Sequence, residues 1–364
     1  MKNLTKYYTK KNLPLFMRIL SITVIFSFIC VTTQPFTGRE WVKDTWYPVI
    51  QDTGMEYLTI LMIVMAVIFP IYEFIFKMRK NSCDLFYSLP VKRHKLYLFK
   101  YLFGLCELLI IFLANFLIIS TVGIIKFAGK EFYYINQNPT TFTFNPGFYY
   151  LFLLIIVVGG ILIYSWIAFF FTRGNTIVDG IINIGLSSFV VAAIIIGTLV
   201  FLSSFDIKLK SAVIEVFLNP LYYIPYVNLY VCCDKLSKVA MGIEVYPMAI
   251  FPTVVMATIS IALIPLFVVL SKKERAEDTG DITDSPFSYK VFLPIFIISL
   301  FVLNDLRYLT WIAVIVGGYI GYVVYNRNFR LRKNDIIVFV LSAGVGFMLM
   351  CIKLAGSSNS IYYV

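Results

Sequence analysis

Apolar stretches of roughly 20 residues, closed by charges or by proline and glycine, recur along the chain, and a helix of that length crosses a hydrocarbon core about 30 Å thick. They cover 19–36, 57–76, 101–125, 148–172, 177–204 and 248–270. Three further stretches, 291–303, 308–325 and 336–352, are short for a span or near the lower limit. The pattern predicts an all-α, polytopic transmembrane helical protein. Ahead of the first stretch, Lys2, Lys6, Lys10, Lys11 and Arg18 form a basic segment expected to lie along the inner membrane surface. A basic stretch before an apolar run also opens a signal peptide, but no small-residue cleavage site follows near 32–36, so the run is read as an uncleaved first span.

Composition sharpens this picture. With 60% hydrophobic residues, 14% charged residues and a mean hydropathy of +0.84, the chain lies outside the range of soluble domains. The formal charge of +11 sits between apolar runs rather than in one basic patch, which argues against nucleic acid as a partner. With the N-terminus inside and every stretch crossing, 21 of the 31 Lys and Arg fall on the inner side, as the positive-inside rule requires.

Two connections hold apolar sequence too short to cross. On the outer side, 207–246 carries a helix-like run over 212–218, broken by Asn219-Pro220 and Pro225 among Tyr222, Tyr223 and Tyr226. It is expected to dip into the outer interface and return, the alternative being a surface loop with its aromatic rings in the headgroups. On the inner side, 77–100 reads KMRKNSCDLFYSLPVKRHKLYLFK. Asn81 or Ser82 is placed to cap a short helix whose Leu85, Phe86 and Leu89 form an apolar face, ended by Pro90. The basic cluster Lys92, Arg93, His94 and Lys95 follows; such clusters fix topology and touch anionic membrane lipid. An apolar face on the cytoplasmic side more often marks a protein contact.

Several chemistries are missing from the sequence. It has no G-x-x-x-x-G-K-[ST] loop for nucleotide phosphates, no H-E-x-x-H and no G-x-S-x-G, so it is not read as an enzyme. Six scattered cysteines without C-x-x-C spacing and the single His94 make a metal site unexpected, and the cysteines are read as thiols. Glu107 is the one acidic residue near the middle of a span, which leaves an ion-coupled carrier as an alternative function. Glu73 and Asp179 lie near inner span ends and are expected to reach the interface. A non-transporting sensor or scaffold component is the other alternative. Gly159-Gly160, Gly317-x-x-x-Gly321 and Gly344-x-Gly346 allow close helix approach.

The segment DLFYSLPVKRHKLYLFK, Asp84 to Lys100, resembles an element of type-2 ATP-binding cassette (ABC) exporter permeases of Gram-positive bacteria, in which an acidic residue, Ser-Leu-Pro-Val and basic residues lead into a Lys-Tyr helix start. A second similarity is KKERAEDTGDITDSPFSYK after the sixth stretch, like the family's basic, acidic, Glu-x-x-Gly stretch before a Phe, with Asp278 and Thr279 where small residues are usual. The resemblance implies a six-span permease core over 1–271 that includes the coupling segment 77–100 and the outer re-entrant segment 207–246. A cytoplasmic linker over 272–290 and a C-terminal membrane-helix extension over 291–364 complete the chain.

It further implies that Asp84, Leu85, Phe86, Ser88, Leu89 and Pro90 dock on a separate ATPase subunit, with Lys92 and Arg93 meeting its acidic groups. On that reading Phe86→Ala with Leu89→Ala releases the ATPase without unfolding the spans. ATP and Mg belong to the partner, and this chain binds no cofactor. A second permease, identical or different, completes the path in the bacterial cytoplasmic membrane. The expected substrate is amphipathic: an antimicrobial or other peptide, or a lipid-like drug.

Overall fold

The computed structural model describes residues 2–33, 36–42, 45–88, 91–127, 129–134, 140–203, 224–240, 250–272, 274, 277–283, 285–303 and 308–360. Among them are the helices α1 (Lys2–Thr33), α2 (Met55–Phe74), α3 (Lys80–Tyr87), α4 (Arg93–Phe127), α5 (Gly147–Thr172) and α6 (Ile177–Ser203). These are followed by α7 (Pro225–Ala240), α8 (Ile250–Ser271), α9 (Tyr289–Leu303), α10 (Tyr308–Asn326) and α11 (Lys333–Ser360). Among the described residues, six stretches are long and apolar enough to cross a membrane: Thr5–Thr33, Met55–Met78, Arg93–Phe127, Gly147–Thr172, Ile177–Thr198 and Lys333–Ala355. The architecture is that of an all-α, membrane-embedded protein.

Among the described residues, two antiparallel strand pairs lie between the helices. β1 (Thr37–Val42) pairs with β2 (Thr45–Ile50), placing Trp41 opposite Trp46, and β3 (Glu131–Tyr134) pairs with β4 (Thr140–Thr143). Their β-branched and aromatic residues suit a pleated surface.

The chain divides into two compact units, with α2, α4, α5 and α7 contributing residues to both. The first comprises 1–69, 101–164 and 229–247. In it a buried polar knot ties three helices together. The Ser27 hydroxyl of α1 donates to Asn115 Oδ1 of α4 and lies 3.2 Å from Tyr57 Oη of α2, while Asn115 Nδ2 donates to Thr23 Oγ1 at 3.2 Å. Each partner removes what would otherwise be an unsatisfied polar group in an apolar setting. Gly123 admits the ring of Tyr149, whose hydroxyl donates to Thr53 O at 2.9 Å; a Cβ at 123 would overlap that hydroxyl. The N-terminal segment differs from expectation. It is not a separate surface helix, because α1 continues through Pro14 without a break and Tyr8, 5% exposed, packs edge-on against Phe103 of α4.

The second unit comprises 70–100, 165–228 and 248–364. Its core centres on α9, where Tyr289, Leu293, Ile297 and Phe301 recur every fourth residue and meet Val314, Tyr322 and Tyr325 of α10. A stripe with that spacing faces one side of a helix, so α9 is held by packing despite a length of about 22 Å. Gly318 and Gly321 face Ile297 and Leu293, so the close approach is through Gly318 and not Gly317 of the expected pair.

Of the outer segment, 207–223 and 241–246 lie outside the described residues. Pro225, read as a breaker, opens α7 instead; at the first helical position its missing N–H leaves no bond unmade.

Candidate functional site

The segment 77–100 begins where α2 tightens into a 3₁₀ turn, Ile75–Met78, and Arg79 takes an extended conformation (φ −115°, ψ 114°). That single extended residue starts α3: its carbonyl accepts from Ser82 N at 3.0 Å and Cys83 N at 2.8 Å. The N-cap is therefore Arg79, with no side-chain cap, and neither Asn81 nor Ser82 fills that role. Arg79 breaks the helical geometry between the turn and α3, so residues 81 and 82 already lie inside the helix.

α3 is amphipathic, with Cys83 and Phe86 buried and Asp84 and Leu85 exposed, Leu85 to 55%. The residues expected to dock divide between the two faces. Phe86 points inward, its ring edge-on to Phe76 at 4.9 Å and 4.3 Å from the Lys100 ammonium. Lys100 also lies 4.0 Å from the Phe76 ring and pairs with Glu73 at 3.8 Å, all three residues being buried. Phe86 thus anchors α3 to the start of α4, a role that desolvated cation–π contact strengthens. Ser88 is exposed and donates to Leu85 O at 2.9 Å; Lys92 is exposed; Leu89 and Pro90 lie outside the described residues.

Arg93 turns back, stacking over Tyr87 at 5.0 Å and donating to the backbone carbonyl of Glu274. Tyr87 and Tyr97 share a hydrogen bond of 2.9 Å, and burial pushes the Tyr87 phenol well above its ordinary range, so it stays protonated.

Glu274 is the centre of this region. Its carboxylate reaches Lys77 Nζ at 2.7 Å and Arg173 Nη2 at 3.0 Å, with all three side chains buried. Lys77 also donates to Thr172 O. Burial pushes the Glu274 carboxyl upward, but the charges of Lys77 and Arg173, with the Lys77 hydrogen bond, outweigh it and hold the group below the usual carboxylate range.

The segment beyond Glu274 is fastened residue by residue. Thr279 Oγ1 donates to Lys77 O at 3.0 Å and lies 3.3 Å from Cys83 Sγ; Gly280 N donates to Asn175 O at 3.1 Å; Thr283 Oγ1 donates to Arg173 O at 2.6 Å. Gly280 has φ +93°, a conformation that a side chain would strain. A polar cleft of about 430 Å³ remains, lined among others by Lys77, Arg173, Asn175, Glu274 and Asp278.

From the other side Arg327, between α10 and α11, pairs with Asp179 at 2.7 Å and donates to the carbonyls of Gly280 and Asp281. Tyr289 adds a 3.4 Å bond to the same carboxylate. Asp179 and Glu73 are both buried in ion pairs. The turn between α5 and α6 is locally determined: Thr176 Oγ1 caps α6 by accepting from Asp179 N at 3.2 Å, and Gly174 lies so close to the Gly180 backbone that a Cβ would overlap it.

The structure thus brings together the two segments singled out in the sequence, 77–100 and 272–290, through Glu274, Thr279 and Arg93. It adds Lys77, Arg173, Asp179 and Arg327, which the sequence reading passed over as topology signals or interface charges. Glu107 is buried on α4 in the first unit and takes no part in this cluster. No cluster of metal-ligating side chains occurs among the described residues. Compared with family models, curated proteins and solved structures, the chain matches none.

Proposed function

We propose that this chain is the membrane-spanning subunit of an ATP-driven ABC exporter, in which the exposed face of α3 docks a separate ATPase subunit. The observation that carries this reading is Glu274, which fastens the linker to the coupling segment by side chain and backbone together. A helix that transmits force from a partner needs a rigid mounting, and buried ion pairs with matched hydrogen bonds supply one.

On this reading Asp84, Leu85, Ser88 and Lys92 meet the ATPase, and Phe86 holds α3 in place. Binding of ATP and Mg in the partner favours one arrangement of the mounted helices over another, which is a population shift and not chemistry on this chain. Two such permeases, alike or different, enclose the path, and the bacterial cytoplasmic membrane is its location. α9, α10 and α11 then cross as a C-terminal extension. The apolar character of the helices suits an amphipathic cargo such as a peptide or lipid-like drug.

The test is purification of the tagged chain from its native membrane in mild detergent, with identification of stoichiometric partners and an ATPase assay. A nucleotide-binding subunit should accompany the chain and leave it on Leu85→Ala. A chain that emerges alone from both detergent and lipid nanodiscs, without ATPase activity, overturns the reading and turns attention to Glu107.

A further inference from the structure

In the second unit, the loop of residues 327–332 that joins α10 to α11 holds Phe329 outward, 78% exposed, beside the exposed basic residues Arg330, Arg332 and Lys333. We propose that this loop lies in the headgroup layer of the bilayer, with the Phe329 ring at the edge of the hydrocarbon and the three basic side chains on anionic phospholipid headgroups.

The ring is held outward by a fastened backbone. Its carbonyl accepts from Tyr319 Oη at 3.0 Å, Arg330 N donates to Asn328 Oδ1 at 3.1 Å, and Arg327 grips Asp179. Leu331 packs against the core of α9 and α10, so the loop buries one apolar side chain and turns the other out. A single exposed ring is ordinary on a protein surface, and here its place along the chain decides what covers it. α11 opens a span-length apolar stretch at Lys333, and no residue of a six-residue loop rises more than about 10 Å from the helix ends. The headgroup layer is about 5–8 Å deep on each side of the hydrocarbon, so Phe329 stands at headgroup depth. Beyond the loop, Ile337 and Leu341 are exposed one turn apart, as the lipid-facing side of α11 requires.

Charge identifies the lipid. Arg330, Arg332 and Lys333 make no ion pair or side-chain hydrogen bond among the described residues. The one acidic residue in the first turn of α11, Asp335, accepts instead from Asn326 Nδ2 at 2.8 Å. These cations also stand at the N-terminal end of α11, where the helix dipole disfavours positive charge. An anionic headgroup supplies the missing counter-charge, whereas a zwitterionic one brings a cation of its own. A second copy of the chain is a poorer cover, because a two-fold contact through this loop would set the same basic residues against each other. Each basic residue near an anionic membrane surface favours it about fivefold. This contact is independent of whether the chain engages an ATPase.

The test places benzoylphenylalanine, a photoreactive analogue of the native residue, at position 329 of the full chain. The chain is reconstituted into nanodiscs of equimolar phosphatidylglycerol and phosphatidylcholine with identical acyl chains, irradiated, and its adducts identified by mass spectrometry. Lipid adducts should form, with phosphatidylglycerol favoured by at least about fivefold. Arg330→Gln, Arg332→Gln and Lys333→Gln together should keep the lipid adduct and bring the ratio close to one; Arg327 is left in place because it holds Asp179. Absence of a lipid adduct overturns the proposal, as does equal labelling of the two lipids by the parent chain or a preference that survives the triple substitution. In native membranes, an adduct with a second copy or with another protein in place of lipid overturns it too. If the labelled chain fails to fold, native mass spectrometry of the unlabelled parent and triple variant decides. Retained phosphatidylglycerol should fall in the variant, and unchanged retention contradicts the proposal.

Discussion

Leu85 and Phe86 are neighbours of similar hydrophobicity with opposite assignments, and the difference is one of direction. On a helix as short as α3 the inward face is narrow, and Cys83 and Phe86, three residues apart, occupy it. Leu85→Ala should leave the fold intact and weaken ATPase association. Phe86→Ala should cost about 3–5 kcal/mol of local stability by leaving a void beside Phe76 and Lys100, read as faster hydrogen exchange in peptides spanning 80–87. At Glu274 the sign of the pH effect follows from its depressed carboxyl. The linker contact is fully present above the ordinary carboxylate range and is lost as pH falls through the lower folded value. Hydrogen exchange at 277–283 should therefore rise on acidification, and Glu274→Gln should show that raised exchange already at neutral pH. Such a variant leaves Lys77 and Arg173 buried without their counter-ion, a loss of about 3–5 kcal/mol.

The helical elements were legible because a span needs a long apolar run, and such runs leave little ambiguity. The strands were not. The first strand pair, TGREWV with TWYPVI, carries β-branched and aromatic residues in two six-residue runs, a signal that a search for 20-residue apolar runs passes over. Pro225 misled for a related reason: proline reads as a stop inside a helix and as a start at its first position, and only the chain after it tells the two apart. The α5–α6 turn, by contrast, is written locally in Thr176 and Gly174. Thr176→Ala should remove the cap and cost about 1 kcal/mol, measurable as a lower thermal midpoint in detergent, and Thr176→Ser should restore it.

Across the molecule, the candidate site is an assembly of distant segments: Lys77 and Glu274 are nearly 200 residues apart, and Arg327 reaches back to Asp179. No local pattern announces such pairs, which is why the motif segments were visible and the residues that join them were not. Arg327 adopts φ +52°, unusual for a residue with a side chain, at the point where it grips Asp179 and the Gly280 carbonyl. The loop holding it therefore links the C-terminal helices to the linker, and Arg327→Ala should raise hydrogen exchange at 277–283 while leaving α9 protected by its own core.

The central claim is that the outward face of α3 meets an ATPase, and site-specific photo-cross-linking in the native membrane tests it most directly. A photoreactive residue at position 85 should give an adduct with a nucleotide-binding subunit, and the same residue at position 86 should give none. An adduct at 86 and none at 85, or no intermolecular adduct at either position while an ATPase co-purifies, would contradict the account.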